Sequence, residues 1–129
     1  MVLASLNDAR SSGTNASIQQ SMSNIRSQAE IVYNASSPLS YETVCEDADI
    51  TRLMTAVGAA AASITDAPVI TDATAGSATT ITCHDNVDAY AVSSALVLTD
   101  GTQRYFCVDS SGNAKTGVAV LAASSYTCP

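Results

Sequence analysis

Ile18, Met22, Ile25, Ala29 and Val32 recur at spacings of 4, 3, 4 and 3. Only a helix of about 3.6 residues per turn gathers positions so spaced onto one face. Leu3 and Leu6, three apart, continue the apolar character toward the N terminus. Ser11, Ser12 and Gly13 interrupt it, and a mid-helix Gly costs about 1 kcal/mol relative to Ala, so a bend or local softening is expected there. The helix should stop near Tyr33, because Asn34 to Ser37 lead into Pro38 and the residue before a proline avoids helical dihedrals. The spacing therefore predicts one helix over residues 1–34, roughly 50 Å long at 1.5 Å per residue. A domain of this size needs less, and the N-terminal third is expected to project beyond the core.

The core that this helix can cover is thin. Of 129 residues, 22 are Ala, 32 are Ser or Thr, six are aromatic and none is Trp. The length fits one domain, residues 1–129, with a core of Ala, Val, Ile and Leu. Charged residues are 13%, too few for charge-driven disorder or a charge-laced coiled coil. The net charge is −7, and Arg10, Arg26, Arg52, Arg104 and Lys115 are scattered. Autonomous nucleic-acid binding, which needs clustered positive charge, is excluded, and docking on anionic lipid is disfavoured. No run of 18 apolar residues is present to span a membrane.

Cys45, Cys83, Cys107 and Cys128 form no CxxC pair. They read as two structural disulfides, which places the chain in an oxidising compartment. Four cysteines allow three connectivities, and spacing does not choose among them.

Past the first helix the period changes twice. After a loop over Ser37–Asp47, a second helix is expected, capped by Asp47 or Asp49 and burying Ile50, Leu53, Met54, Val57, Ala60 and Ile64. Asp66–Gly76 reads as an exposed loop. Strands are expected at Thr79–Cys83, Ala89–Leu98, Gln103–Asp109 and, more weakly, Val118–Ala122. Asp100-Gly101 supplies the hairpin signal and Ser110–Gly117 a polar turn. The layout is a helical segment 1–34, a loop–helix–loop over 35–78, and a sheet with C-terminal loop over 79–129. It predicts an α+β fold, with the long helix on a three- to four-stranded antiparallel sheet.

No catalytic constellation emerges. His84, beside Asp85 and Asp88, is the single histidine, and Ser93 and Ser94 lack a nucleophile elbow, so His84 is expected to be a solvated loop residue. Asp85, Asn86, Asp88 and Asp109 offer oxygens of the kind Ca²⁺ takes, but Ser110–Gly117 adds no carboxylate, and turn chemistry is the expected role. No metal and no cofactor is expected. Asn15-Ala16-Ser17 and Asn34-Ala35-Ser36 match the glycosylation sequon, a pattern common in Ser-rich chains. The five tyrosines read as packing residues.

Two stretches carry a resemblance. Val2-Leu3-Ala4-Ser5-Leu6-Asn7-Asp8-Ala9-Arg10 resembles the segment that follows the membrane-spanning stretch of type IV pilins and the related major pseudopilins of type II secretion. Tyr105-Phe106-Cys107-Val108-Asp109-Ser110-Ser111-Gly112 resembles a motif of the C-terminal sheet of bacterial pilin-like proteins. The resemblance implies a pilin-like fold and a structural, non-enzymatic subunit of a type IV pilus-like surface filament. Its partners would be copies of itself and an inner-membrane assembly machine, and membrane contact would come only through an apolar N-terminal segment with an N-methylated first residue. That segment is not among these residues, and the chain is expected to be the domain without it. The implied filament-packing residues are Leu3, Leu6, Arg10, Ile18, Met22 and Ile25. Asp8, Arg10 and Arg26 could form ion pairs between subunits. The disulfide pairing expected is Cys45–Cys83, stapling the loop–helix–loop segment, with Cys107–Cys128, tying the chain end to the sheet and delimiting a C-terminal loop like that of many pilins; Cys45–Cys128 with Cys83–Cys107 is the alternative, and a strand-to-strand bridge is geometrically demanding. A type II secretion pseudopilin and, from another class, a secreted adhesive or ligand-binding module are the competing functional readings.

Overall fold

A computed structural model describes the backbone of residues 2–129 and the side chains from Leu6 onward. Helix α1 (Val2–Ala35) runs without interruption through Gly13. Ile18, Met22, Ile25, Ala29 and Val32 form its buried face, each large member worth about 1.5–3 kcal/mol relative to exposure. The helix ends where Ser36 turns back, its N–H donating to the Tyr33 carbonyl and its hydroxyl to that of Val32.

Helix α2 (Ala48–Ala60) starts at Asp47, whose Oδ1 accepts the N–H groups of Asp49 and Ile50 at 3.0 and 3.1 Å. That satisfies two of the orphan donors of the first turn. Ile50, Met54 and Val57 pack against α1, and Ile64 continues the apolar face. Leu53 is half-buried. Ala60 is exposed, contrary to the helical count, because the chain becomes extended at Ala61, which takes the inward place instead.

Four strands form one antiparallel sheet in chain order: β1 (Ile81–Asp85), β2 (Tyr90–Ala95), β3 (Tyr105–Asp109) and β4 (Ala114–Gly117). The register aligns Cys83, Val92, Val108 and Ala114 across all four. Ile81, Cys83, Tyr90, Val92, Phe106 and Val108 join the helices in the core. This is the expected α+β architecture, with the long helix on a four-stranded antiparallel sheet.

The boundaries depart from expectation in three places. β2 stops at Ala95, and Leu98, expected within the strand, is 51% exposed in the connection to β3. Asp100-Gly101 lies in that connection; Gly101 has φ +83, and Asp100 Oδ1 accepts Thr102 N–H and pairs with Arg104. The last strand is Ala114–Gly117, within the stretch expected to be a turn, and Val118–Ala122 is not a strand. All four β4 residues are exposed, so backbone pairing to β3 defines the strand and no apolar alternation marks it. Finally, Val69 is not simply loop. It lies parallel to β1, its N–H donating to Ile81 O and its carbonyl accepting Cys83 N–H, at 2.9 and 2.8 Å.

Candidate functional site

The two ends of α1 behave differently. From Leu6 to Arg10 every side chain is exposed, Leu6 by 55%. The first side chain to bind the rest of the fold, among the described residues, is Asn15. Its Nδ2 donates to Val97 O at 3.0 Å and its Oδ1 accepts Val97 N–H at 2.7 Å, so its amide acts as a strand partner for the β2–β3 connection. The sequon reading of Asn15 misses this role; Asn34 stays exposed and donates along its own helix to Glu30 O.

Burial corrects the set of packing residues. Ile18, Met22 and Ile25 are fully buried in the domain's own core. Leu6 and Arg10 remain exposed, and Leu3 lies outside the described side chains. The surface that α1 does present is the opposite face: Leu6, Arg10, Gly13, Ser17, Gln20, Asn24, Ser27 and Ile31, all exposed, again at alternate spacings of 4 and 3. Gln20, Asn24, Ser27 and Ile31 each lie two positions beyond a member of the inward repeat, about 200° around the helix, and Leu6, Arg10, Gly13 and Ser17 continue that line toward the N terminus.

Two disulfides are present, Cys45–Cys83 and Cys107–Cys128, the expected pairing, with Cα separations of 5.7 Å each. The first joins the loop before α2 to β1. The second ties the chain end to β3, on the sheet face turned away from the helices. That second face is buried too, and it is polar: Thr82, His84, Ser93 and Asp109 lie there with Ala91, Ala95 and Cys107. Loop 66–80 and the C-terminal segment, with Leu121 inward, supply its partners.

His84 is therefore not a solvated loop residue. It sits on β1 with no exposed surface, its Nδ1 2.8 Å from Ser125 O and its Nε2 2.7 Å from Thr74 O. Both ring nitrogens are engaged by main chain, and neither Ser93 nor Ser94 reaches them; the Ser94 hydroxyl donates to Ala95 O. Asp109 accepts four N–H groups: Ser111 N and Asn113 N on Oδ1, Asn113 Nδ2 and Cys128 N on Oδ2. Asn86 accepts Asp88 N–H and Ala89 N–H in its turn. The Asp85, Asn86 and Asp109 oxygens thus serve separate donors in the fold, and no group of three or more metal-ligating side chains occurs among the described residues.

Asp85 accepts Cys45 N–H at 2.8 Å, while its own N–H donates to Asp72, which also receives the Tyr126 hydroxyl. Burial pushes the Asp85 carboxyl up to about 6, with the charges of Asp72, Glu46 and Glu42 adding to it and the Cys45 N–H opposing it. Because the folded-state value lies above the ordinary one, protonation favours folding. This group's contribution is present at low pH and lost as pH rises toward 6. Asp85→Asn keeps an acceptor for Cys45 and removes the charge. We expect it to raise stability at pH 7 by about 1 kcal/mol, allowing for partial solvent screening, and to flatten the pH dependence between 4 and 6. Urea titrations of both proteins across that range measure it, and an unchanged slope would refute the assignment.

At the same end of the sheet, where Tyr90 lies opposite Asp85, three tyrosines meet. Tyr33 stacks on Tyr41 at 4.3 Å, and Tyr41 is tilted against Tyr90 at 5.2 Å. The Tyr41 hydroxyl donates to Glu30; burial and that carboxylate push it up to about 12. The buried Tyr90 hydroxyl has no partner among the described residues. These rings pack the helix terminus onto the sheet, as the sequence suggests. No helix of the described residues is long and apolar enough to cross a membrane. The chain matches no known family profile, no curated protein and no solved structure.

Proposed function

We propose that this chain is the globular domain of a structural subunit of a type IV pilus-like surface filament, assembled from copies of itself by an inner-membrane machine. The observation that carries the reading is the division of α1: its C-terminal half builds the core, whereas Leu6–Arg10 has all its side chains in water. A helical end of that length is marginal in isolation. It gains a purpose if neighbouring helices cover it in an assembly. The exposed stripe from Leu6 to Ile31 gives those neighbours a continuous face without bulky aromatic groups, which suits close helix approach. The disulfides suit a thin-cored domain that must bear load.

The reading requires an apolar segment upstream of Val2 in the native protein. Mass spectrometry of material sheared from the surface of the producing cells tests it. The expected mature chain carries about 20 apolar residues before Val2, enough to span or pack a hydrocarbon-thick layer, with an N-methylated first residue. A mature chain beginning near Val2 would replace the filament by a freely secreted binding module.

A further inference from the structure

We propose that His84 is a proton-operated latch that holds the C-terminal segment, residues 121–129, on the second face of the sheet. The proposal does not depend on the filament reading. A neutral imidazole has one N–H, and a carbonyl oxygen only accepts. The ring nitrogens of His84 face two carbonyl oxygens, Thr74 O at 2.7 Å and Ser125 O at 2.8 Å, in a position with no exposed surface. The doubly protonated ring donates to both, through charge-assisted bonds. Loss of one proton leaves a nitrogen lone pair against a carbonyl oxygen where water does not reach, an uncompensated buried contact.

The two carbonyls belong to the two segments that close over this face. Thr74 is in loop 66–80 and Ser125 in the C-terminal segment. The segments are joined to each other by Gly76 N–H to Leu121 O, Ser124 N–H to Asp72 O, and the Tyr126 hydroxyl to Asp72. Ser124 is at φ +57, the left-handed region that a non-glycine residue occupies at a cost. Lifting the segment beyond Leu121 relieves that cost, so its polar contacts act with the buried Leu121 to hold the closed form. The Cys107–Cys128 bridge keeps the lifted segment tethered and able to return.

The ionisable groups on the segments that close over the ring are Asp72 on loop 66–80, whose carboxylate accepts the Tyr126 hydroxyl, and Tyr126 on the C-terminal segment with its ring 6.4 Å away; on the same sheet face Asp109 stands two strands over and Lys115 three. Asp85 is the next residue of β1. The carboxylates of Asp72 and Asp85 are closer in the fold than Lys115, a field of the sign that suits a cation. The latch therefore closes with the proton bound and loosens as pH rises.

The test uses the full chain, labelled with ¹⁵N. Imidazole nitrogen spectra count the ring protons, while hydrogen exchange, corrected for its intrinsic pH dependence, follows the amides of Gly76, Ser124 and Cys128. The expected result is a ring with two N–H groups in the closed form. Protection at those three amides should then fall about tenfold as one proton leaves, the loss of one hydrogen bond's worth, while the Val92 and Val108 amides hold. His84→Gln, which cannot titrate, should show reduced protection that no longer changes over the interval. Asp85→Asn should keep the transition; its disappearance there would assign the effect to Asp85 and overturn the latch. A ring with a single N–H throughout, or protection indifferent to its titration, would also overturn it. If His84→Gln fails to fold, the two wild-type measurements decide alone.

Discussion

Replacing Cys45 and Cys83 together by Ala is expected to lower the unfolding free energy by about 4 kcal/mol, the loop-closure entropy returned to an unfolded chain with a bridge spanning 38 residues. Domains of this kind hold about 5–15 kcal/mol in all, so the change removes a large fraction of it. The melting temperature should drop by roughly 10–20 °C. The effect is large because the bridge links parts far apart in sequence, the loop that launches α2 and β1 beneath the helices, which otherwise meet through thin packing and the Cys45 N–H to Asp85 bond. Both cysteines are also buried, so the substitution removes packing as well as a covalent constraint. The matching Cys107/Cys128 double substitution should cost about 3 kcal/mol, because its loop of 21 residues is shorter. Calorimetry of the three proteins orders them. A loss under 1 kcal/mol for the first pair would mean that residues 45–83 are already constrained in the unfolded chain.

The second large effect is expected at Asp109. Its carboxylate accepts four N–H groups from Ser111, Asn113 and Cys128, and its exposure is 1%. Asp109→Ala leaves these donors facing an apolar methyl, and each that water fails to reach costs about 1–3 kcal/mol. Allowing the turn at 110–113 to relax toward solvent, a net loss of about 3 kcal/mol is expected. Asp109→Asn should recover part of it, since one amide oxygen still accepts Ser111 and Asn113 while the amide nitrogen meets the Cys128 donor. Denaturant titration gives the magnitudes. If Asp109→Asn were no better than Asp109→Ala, the turn contacts would contribute nothing and only the Cys128 contact would matter.

These sites also mark the boundary of what the sequence discloses. The stripe from Ile18 to Val32 is legible because its meaning is local: the period alone fixes the face, and the structure buries all five residues. Asp47 is legible as a cap for the same reason. β4 leaves no trace because none of its side chains is buried. β2 misleads about its length because both of its faces are covered, so polar Ser93 and Ser94 are as buried as Val92 and no alternation remains to be read. His84 is the clearest failure. Its hydrogen-bond partners lie 10 and 41 residues away and are main-chain oxygens, which carry no signature in side-chain identity. Asn15 fails likewise, its partner being the backbone of Val97, 82 residues on. The exposed stripe of α1 was legible in principle, as the complement of the buried one, but the resemblance drew attention to Ile18, Met22 and Ile25, which the core claims.

The two borders of the sheet bear on how this protein tolerates crowding. A strand with bare N–H and C=O groups along its rim is a template for the rim of another copy, and molecules held at high local density sample that encounter continually. Here one rim is already occupied, since Val69 lies along β1. The other is β4, only four residues long, with Lys115 in its middle and Gly117 at its end. A rim that short offers few bonds to an incoming strand, and an ammonium group must be placed beside another. Molecules of this domain at high density are thus poorly matched to zip into a shared sheet.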